Sequence, residues 1–93
     1  MTIGILRLVL FIHESNSLKD KRMVLHSLKA RLRSNFNVAV TQIGDQDKWQ
    51  KSILALVGVE KDTKNMNRTL SQVINFIERS HSVNIIDYEM ELI

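Results

Sequence analysis

Cysteine and proline are both absent from this 93-residue chain, and glycine occurs three times. Without cysteine there is no disulfide framework, no thiolate nucleophile and no cysteine-ligated metal, a pattern that fits the reducing cytoplasm. Without proline, every turn must come from Gly, Asn, Asp or Ser. Gly4, Gly44 and Gly58 lie too far apart to build a glycine-rich phosphate loop. Long apolar runs are also lacking. The opening MTIGILRLVLFI is broken by Arg7 and has neither a basic leading region nor a small-residue cleavage site. It reads as a strand, not as a signal peptide or a membrane span.

Aromatic residues make up 5% of the chain, with a single tryptophan. A sheet that stacks nucleobases needs aromatics on its central strands. The first strand-like segment offers Phe11 alone, and SILALVGVE offers none. Catalytic groupings are equally sparse. His13, His26 and His81 have no metal-ligand spacing on one element, and no serine sits in a nucleophile elbow or beside a His/Asp set. Asp45 and Asp47 share a loop with no third carboxylate, which suits turn residues better than a cation site. No enzyme, cofactor or metal is expected.

What is present is an ordinary soluble balance, 44% apolar and 25% charged, and a length suited to one domain spanning residues 1–93. The charge is unevenly spread. The net +3 combines +5 over residues 18–36 with −3 over residues 83–93. A basic segment and an acidic terminus therefore share one small surface.

Hydrophobic period divides the chain into six elements. Residues 3–13 read as a strand bounded by the polar loop Glu14–Ser17. Ser17 followed by Asp20 forms a capping signature for a helix that runs toward Phe36, with Asn35 as its stop. Leu18, Leu25, Leu28, Leu32 and Phe36 share one side of it. Residues 36–44 alternate as a second strand, and 52–60 form an almost wholly apolar third. Asp62 or Thr63 opens a second helix with Met66, Leu70, Val73, Ile74 and Ile77 on one face. A turn at 80–82 leads to a last strand, 83–92.

The order βαββαβ predicts an α+β, ferredoxin-like sandwich: four antiparallel strands ordered 4-1-3-2, with both helices on one face. In the first strand, Leu6, Leu8, Leu10 and Ile12 share one side. Ile3, Ile5, Arg7, Val9, Phe11 and His13 share the other, and Arg7 marks that side as the one facing away from the helices. Ile3, Ile5, Val9 and Phe11 then lie on an open sheet face large enough to suggest a homo-oligomer or another protein partner. Trp49 belongs either to the edge of the core or to the same kind of interface.

The basic helix carries the functional expectation. Lys19, Arg22, His26, Lys29 and Arg33 are spaced 3, 4, 3 and 4, forming one cationic stripe away from the leucine face. It covers fourteen residue steps, about 21 Å at 1.5 Å per residue, which matches several phosphates rather than one small ligand. Cations near a helix C-terminus merely suit the dipole. Lys19, Lys21 and Arg22 crowd the N-terminal end, where positive charge opposes it. With Ser17 and free backbone N–H groups, they are expected to form an anion site.

Three stretches of this chain resemble the YlxP-like family of small bacterial proteins of unknown function: HESNSLKDKRMVLHSLKARLRSNFNVAV, then DQDKWQKSILALVGV, and the ending IIDYEMEL. The most specific parts are Ser17-Leu18-Lys19 with Lys21-Arg22, then Phe36-Asn37-Val38, and Asp47 with Trp49-Gln50. The resemblance implies a ferredoxin-like fold. Because the family's genes often lie among translation and ribosome-maturation genes, it also implies a role near the ribosome or RNA. It supplies no catalytic residue. The expectation is a non-catalytic protein that binds structured RNA or a ribosomal particle. The alternative is a dimeric protein-interaction or small-anion-sensing module.

Overall fold

The computed structural model describes residues 1–13 and 15–93, so Glu14, expected at the head of the first polar loop, lies outside the described residues. Six elements follow one another: β1 (Thr2–Ile12), α1 (Leu18–Asn35), β2 (Val38–Gly44), β3 (Lys51–Glu60), α2 (Thr63–Glu78) and β4 (Val83–Leu92). The four strands form one antiparallel sheet ordered β2-β3-β1-β4. Read from its other edge, this is the expected 4-1-3-2, and the fold is the ferredoxin-like α+β sandwich. Two crossovers that each skip one strand produce this interleaving.

Period-two alternation sorts β1 as expected. Leu6, Leu8, Leu10 and Ile12 are fully buried under the helices, while Ile3, Ile5, Val9 and Phe11 are half-covered on the open side. β3 follows the same rule, burying Leu54 and Leu56 and leaving Val57 and Val59 exposed on the open face. From above, α1 contributes Leu25, Leu28 and Leu32, and α2 contributes Met66, Leu70, Val73, Ile74 and Ile77. Both edge strands carry a register break, at Gln42/Gly44 in β2 and at Val9/Leu10 opposite β4. Such bulges twist an edge and discourage pairing with further strands.

One packing feature has no sequence signature. Gly4 and Gly58 pair directly across β1 and β3, and Met66 of α2 lies in the gap they leave. A Cβ at Gly4 would stand 2.7 Å from Met66 Cγ, and one at Gly58 would stand 3.1 Å from Met66 Cε. These glycines serve close helix approach, not turn geometry.

The helix ends follow their capping residues. Ser17 Oγ accepts the Asp20 N–H at 3.1 Å, and Asp62 Oδ1 accepts that of Asn65 at 2.8 Å. The second strand begins two residues later than the alternation suggested. Phe36 instead caps α1, donating its N–H to Leu32 O at 3.0 Å, and its ring meets Phe76 of α2 edge-on at 5.6 Å. The Arg31 guanidinium lies 6.0 Å from the same Phe76 ring centroid, so this cation ties the two helices together.

Candidate nucleic-acid interface

Three cations in the first turns of α1 have different fates. Lys21 is spaced 4, 3 and 4 from Leu25, Leu28 and Leu32, which puts it in line with the buried leucines, and it is only 1% exposed. Its ammonium crosses to the β2–β3 loop and donates to the carbonyl oxygens of Asp45 and Lys48. Burial pulls its pKa below the ordinary lysine value of 10.5, against the opposing attraction of Asp45 and then Asp47. Lys21 is therefore a tether between α1 and this loop and is removed from the expected anion site.

The helix start itself is also occupied by the protein. Ser17 Oγ caps Asp20, Ser17 O accepts the Lys21 N–H at 3.2 Å, and Ser15 Oγ donates to Ser17 O at 3.1 Å. The Asp20 carboxylate accepts the Asn16 N–H at 3.3 Å, bringing negative charge to the positive end of the helix dipole. The free N–H groups expected beside Ser17 are thus partly spent, and a carboxylate stands among them. This is a capped helix start, not an open anion seat.

The remaining cations do converge. Lys19, Arg22, His26 and Lys29 line one open concavity of about 480 Å³ between α1 and β2. Met23, Leu25 and Gln42 complete it, so among the described residues its lining holds an apolar part, one amide and no carboxylate. No described carboxylate lies within ion-pair distance of Lys19, Arg22 or Lys29. Arg33 continues the flank, and one of its guanidinium nitrogens donates to Val40 O of β2 at 2.7 Å. That bond covers part of a free sheet edge. Arg33 therefore has a structural duty that its stripe spacing did not reveal. Gln42 and Met23 were also missed, because a partner from another strand and an apolar residue inside a cationic run leave no mark in helical periodicity.

The opposite side of the sheet has a different character. Register pairs Asp87 with Val9, Glu89 with Arg7 and Glu91 with Ile5, placing all three carboxylates along the open face. One loose ion pair, Arg7 to Glu89 at 3.9 Å, joins that row to the centre. An acidic margin beside an apolar centre repels phosphate and leaves the α1 flank as the electropositive side. Ile3, Ile5, Val9 and Phe11 do share this face, next to Val57 and Val59.

Trp49 does not fold back over the core edge and is 57% exposed. His13 and His81, far apart in sequence, border a second concavity of about 490 Å³ with Ser15, Asp20 and Ser82. Among the described residues, no group of three or more His, Asp or Glu is placed to hold a metal ion. Among the same residues, no helix is long and apolar enough to cross a membrane.

Comparison with known proteins adds relatives without adding a role. A family model described as "Protein of unknown function (DUF503)" matches residues 3–90. The uncharacterized protein YlxP of Bacillus subtilis (strain 168) is 33% identical over 76 residues, covering 82% of this chain and 83% of its own length. Among solved structures, similarity extends to LarC2, the C-terminal domain of a cyclometallase involved in synthesis of the NPN cofactor of lactate racemase. That match has a TM-score of 0.49 and 10% identity over the whole of this chain, which spans 55% of the LarC2 chain. It also extends to SnoaB, a cofactor-independent oxygenase from Streptomyces nogalater. There the TM-score is 0.49 and the identity 12%, with 99% of this chain and 90% of the other covered.

Proposed function

The chain belongs to the DUF503 family of proteins of unknown function, and on that footing we propose from its own geometry a non-catalytic cytoplasmic protein that binds RNA. It docks on structured RNA or a ribosomal particle through the basic flank of α1. The observation that carries this reading is the concavity bordered by Lys19, Arg22, His26 and Lys29, with no carboxylate among the described residues of its lining. The acidic row on the open sheet face supports it by disfavouring the other side. Affinity then comes mainly from counterions released as the cations meet phosphates, so binding is strong at low salt and fades as salt rises.

Co-sedimentation with ribosomal subunits at low salt tests the reading. The wild-type protein is expected in the pellet, and a Lys19→Glu/Arg22→Glu/Lys29→Glu variant in the supernatant. Arg33 is left intact in this variant because it also holds β2. Wild-type protein that stays in the supernatant, or a variant that pellets equally, removes the reading.

A second reading rests on the open sheet face. Val57 is 41% and Val59 is 46% exposed beside Ile3, Ile5, Val9 and Phe11. Covering that apolar centre with a second copy of the chain makes a homodimer whose basic flanks remain free. Sedimentation equilibrium distinguishes it. A dimer that Ile5→Lys converts to monomer agrees with this reading, and a wild-type monomer at high concentration contradicts it.

A further inference from the structure

We propose that Trp49 is a stacking platform for an unpaired nucleobase, held next to the basic flank so that one RNA strand meets both. The proposal rests on the RNA-binding reading and adds the chemical class of nucleotide that the protein prefers.

Placement is the first argument. The loop between β2 and β3 is fastened to the first turns of α1, since the Lys21 ammonium donates to Asp45 O and Lys48 O. Trp49 follows the second of these anchors directly. The next residue, Gln50, is anchored in turn, accepting the Ile12 N–H on its carbonyl at 2.8 Å. The tryptophan therefore sits at the same end of the molecule as Lys19 and Arg22, between two residues with fixed backbone positions.

Rigidity is the second. Asp45 takes a left-handed turn at φ 60°, a conformation Asp accommodates better than most residues. Its carboxylate faces Lys48 Nζ at 3.4 Å and Lys51 Nζ at 3.8 Å, and its carbonyl accepts the Lys48 N–H at 3.2 Å. A buried lysine is costly to keep, and this one is used entirely to hold a loop whose most prominent side chain is exposed. An aromatic carried on an anchored backbone loses less freedom on stacking than one on a free loop.

Charge is the third. Lys48 and Lys51 offset Asp45 and Asp47 in number, so the excess positive charge at the tryptophan's end of the molecule comes from the α1 flank. Asp47 is exposed and opposes a bound phosphate, so Asp47→Asn should tighten binding modestly. Cations beside an exposed aromatic suit a polyanion carrying flat apolar bases, and stacking of this kind tolerates any base. Fully paired RNA keeps its bases stacked internally and offers the indole nothing.

As the sole tryptophan, Trp49 provides its own readout. The wild-type protein is titrated at low salt with a labelled ten-nucleotide single-stranded RNA and with a blunt duplex of the same length. Indole emission and RNA anisotropy are followed together. The proposal expects saturable change of indole emission by the single strand and much less by the duplex. Alanine truncation of a stacking aromatic weakens binding by roughly 5- to 150-fold. Trp49→Ala should therefore weaken single-strand binding about tenfold and duplex binding hardly at all, with Trp49→Phe recovering most of the loss.

Binding seen by anisotropy with unchanged indole emission and an unchanged Trp49→Ala affinity overturns the proposal while leaving the basic-flank reading intact. Equal losses on both RNAs overturn it as well, as does a Trp49→Ala variant that changes oligomeric state but not RNA affinity. The last result assigns the indole to a protein interface. No binding to either RNA overturns the proposal together with the reading beneath it.

Discussion

The two helices lie over the same sheet and are built for different work. α2 buries five apolar residues, and its Met66 enters the gap between Gly4 and Gly58. α1 buries three leucines and one lysine, and its solvent-facing side carries five of the molecule's thirteen Lys/Arg residues. Both helices are capped at their starts by a side-chain oxygen. The contrast teaches that α2 chiefly secures the fold, while α1 divides its surface between holding the fold and presenting charge. Lys21 and its neighbours show the division within a single turn: one cation is buried as a tether, and Lys19 and Arg22 border an open concavity.

Substitutions that separate stability from binding test this contrast. The largest stability effect is expected from Met66→Ala, since truncating a fully buried Met typically costs about 2–5 kcal/mol. Urea unfolding should show that loss with RNA affinity unchanged at temperatures where the variant stays folded. Next comes Lys21→Ala, which leaves the Lys48 carbonyl without its donor and the Asp45 carbonyl with the Lys48 N–H alone, and should cost about 1–3 kcal/mol. It should also free the Trp49 loop, visible as altered indole emission in the folded protein. Gly4→Ala tests the α2 side again. Met66 must yield to the added methyl, at a cost of about 1–3 kcal/mol.

A pH-dependent effect follows from Lys21. Its folded pKa is depressed below 10.5, so between those two values the unfolded chain binds more protons than the native one. Stability referred to this group therefore rises as pH climbs through that window, because the cost of burying the charge disappears. Urea midpoints of wild type minus Lys21→Met should shift upward on the alkaline side, and a downward shift contradicts the assigned burial. The smallest change in stability is expected from Lys19→Glu. It removes a cation from the positive end of α1 and should raise stability by about 0.3–1 kcal/mol while weakening RNA binding.

Much of the fold is legible in the sequence because its signals are local. Alternation in residues 3–13 separates Leu6, Leu8 and Leu10 from Ile3, Ile5 and Val9, and the order of elements then restricts the strand order. The site is less legible. The cationic stripe can be read from spacing, but the fate of each cation depends on partners more than twenty residues away or on another strand. Lys21 did carry a local sign, since it lies in register with Leu25, Leu28 and Leu32. That register points it inward, whereas its place in the first turns of the helix suggested an anion. The duty of Arg33 to Val40, the facing glycines and the placing of His13 and His81 around one concavity arise from tertiary contact alone. No pattern within one element encodes them.

The central claim is that the α1 flank is the face that meets RNA, and the salt dependence of binding tests it most directly. Anisotropy titrations of a labelled structured RNA at 50 and 200 mM salt should show wild-type affinity falling roughly 40-fold, as expected when about three phosphates are neutralised. The Lys19→Glu/Arg22→Glu/Lys29→Glu variant should bind far more weakly at the lower salt. Wild-type affinity that is flat across this range, or a variant that retains the full salt slope, would contradict the account.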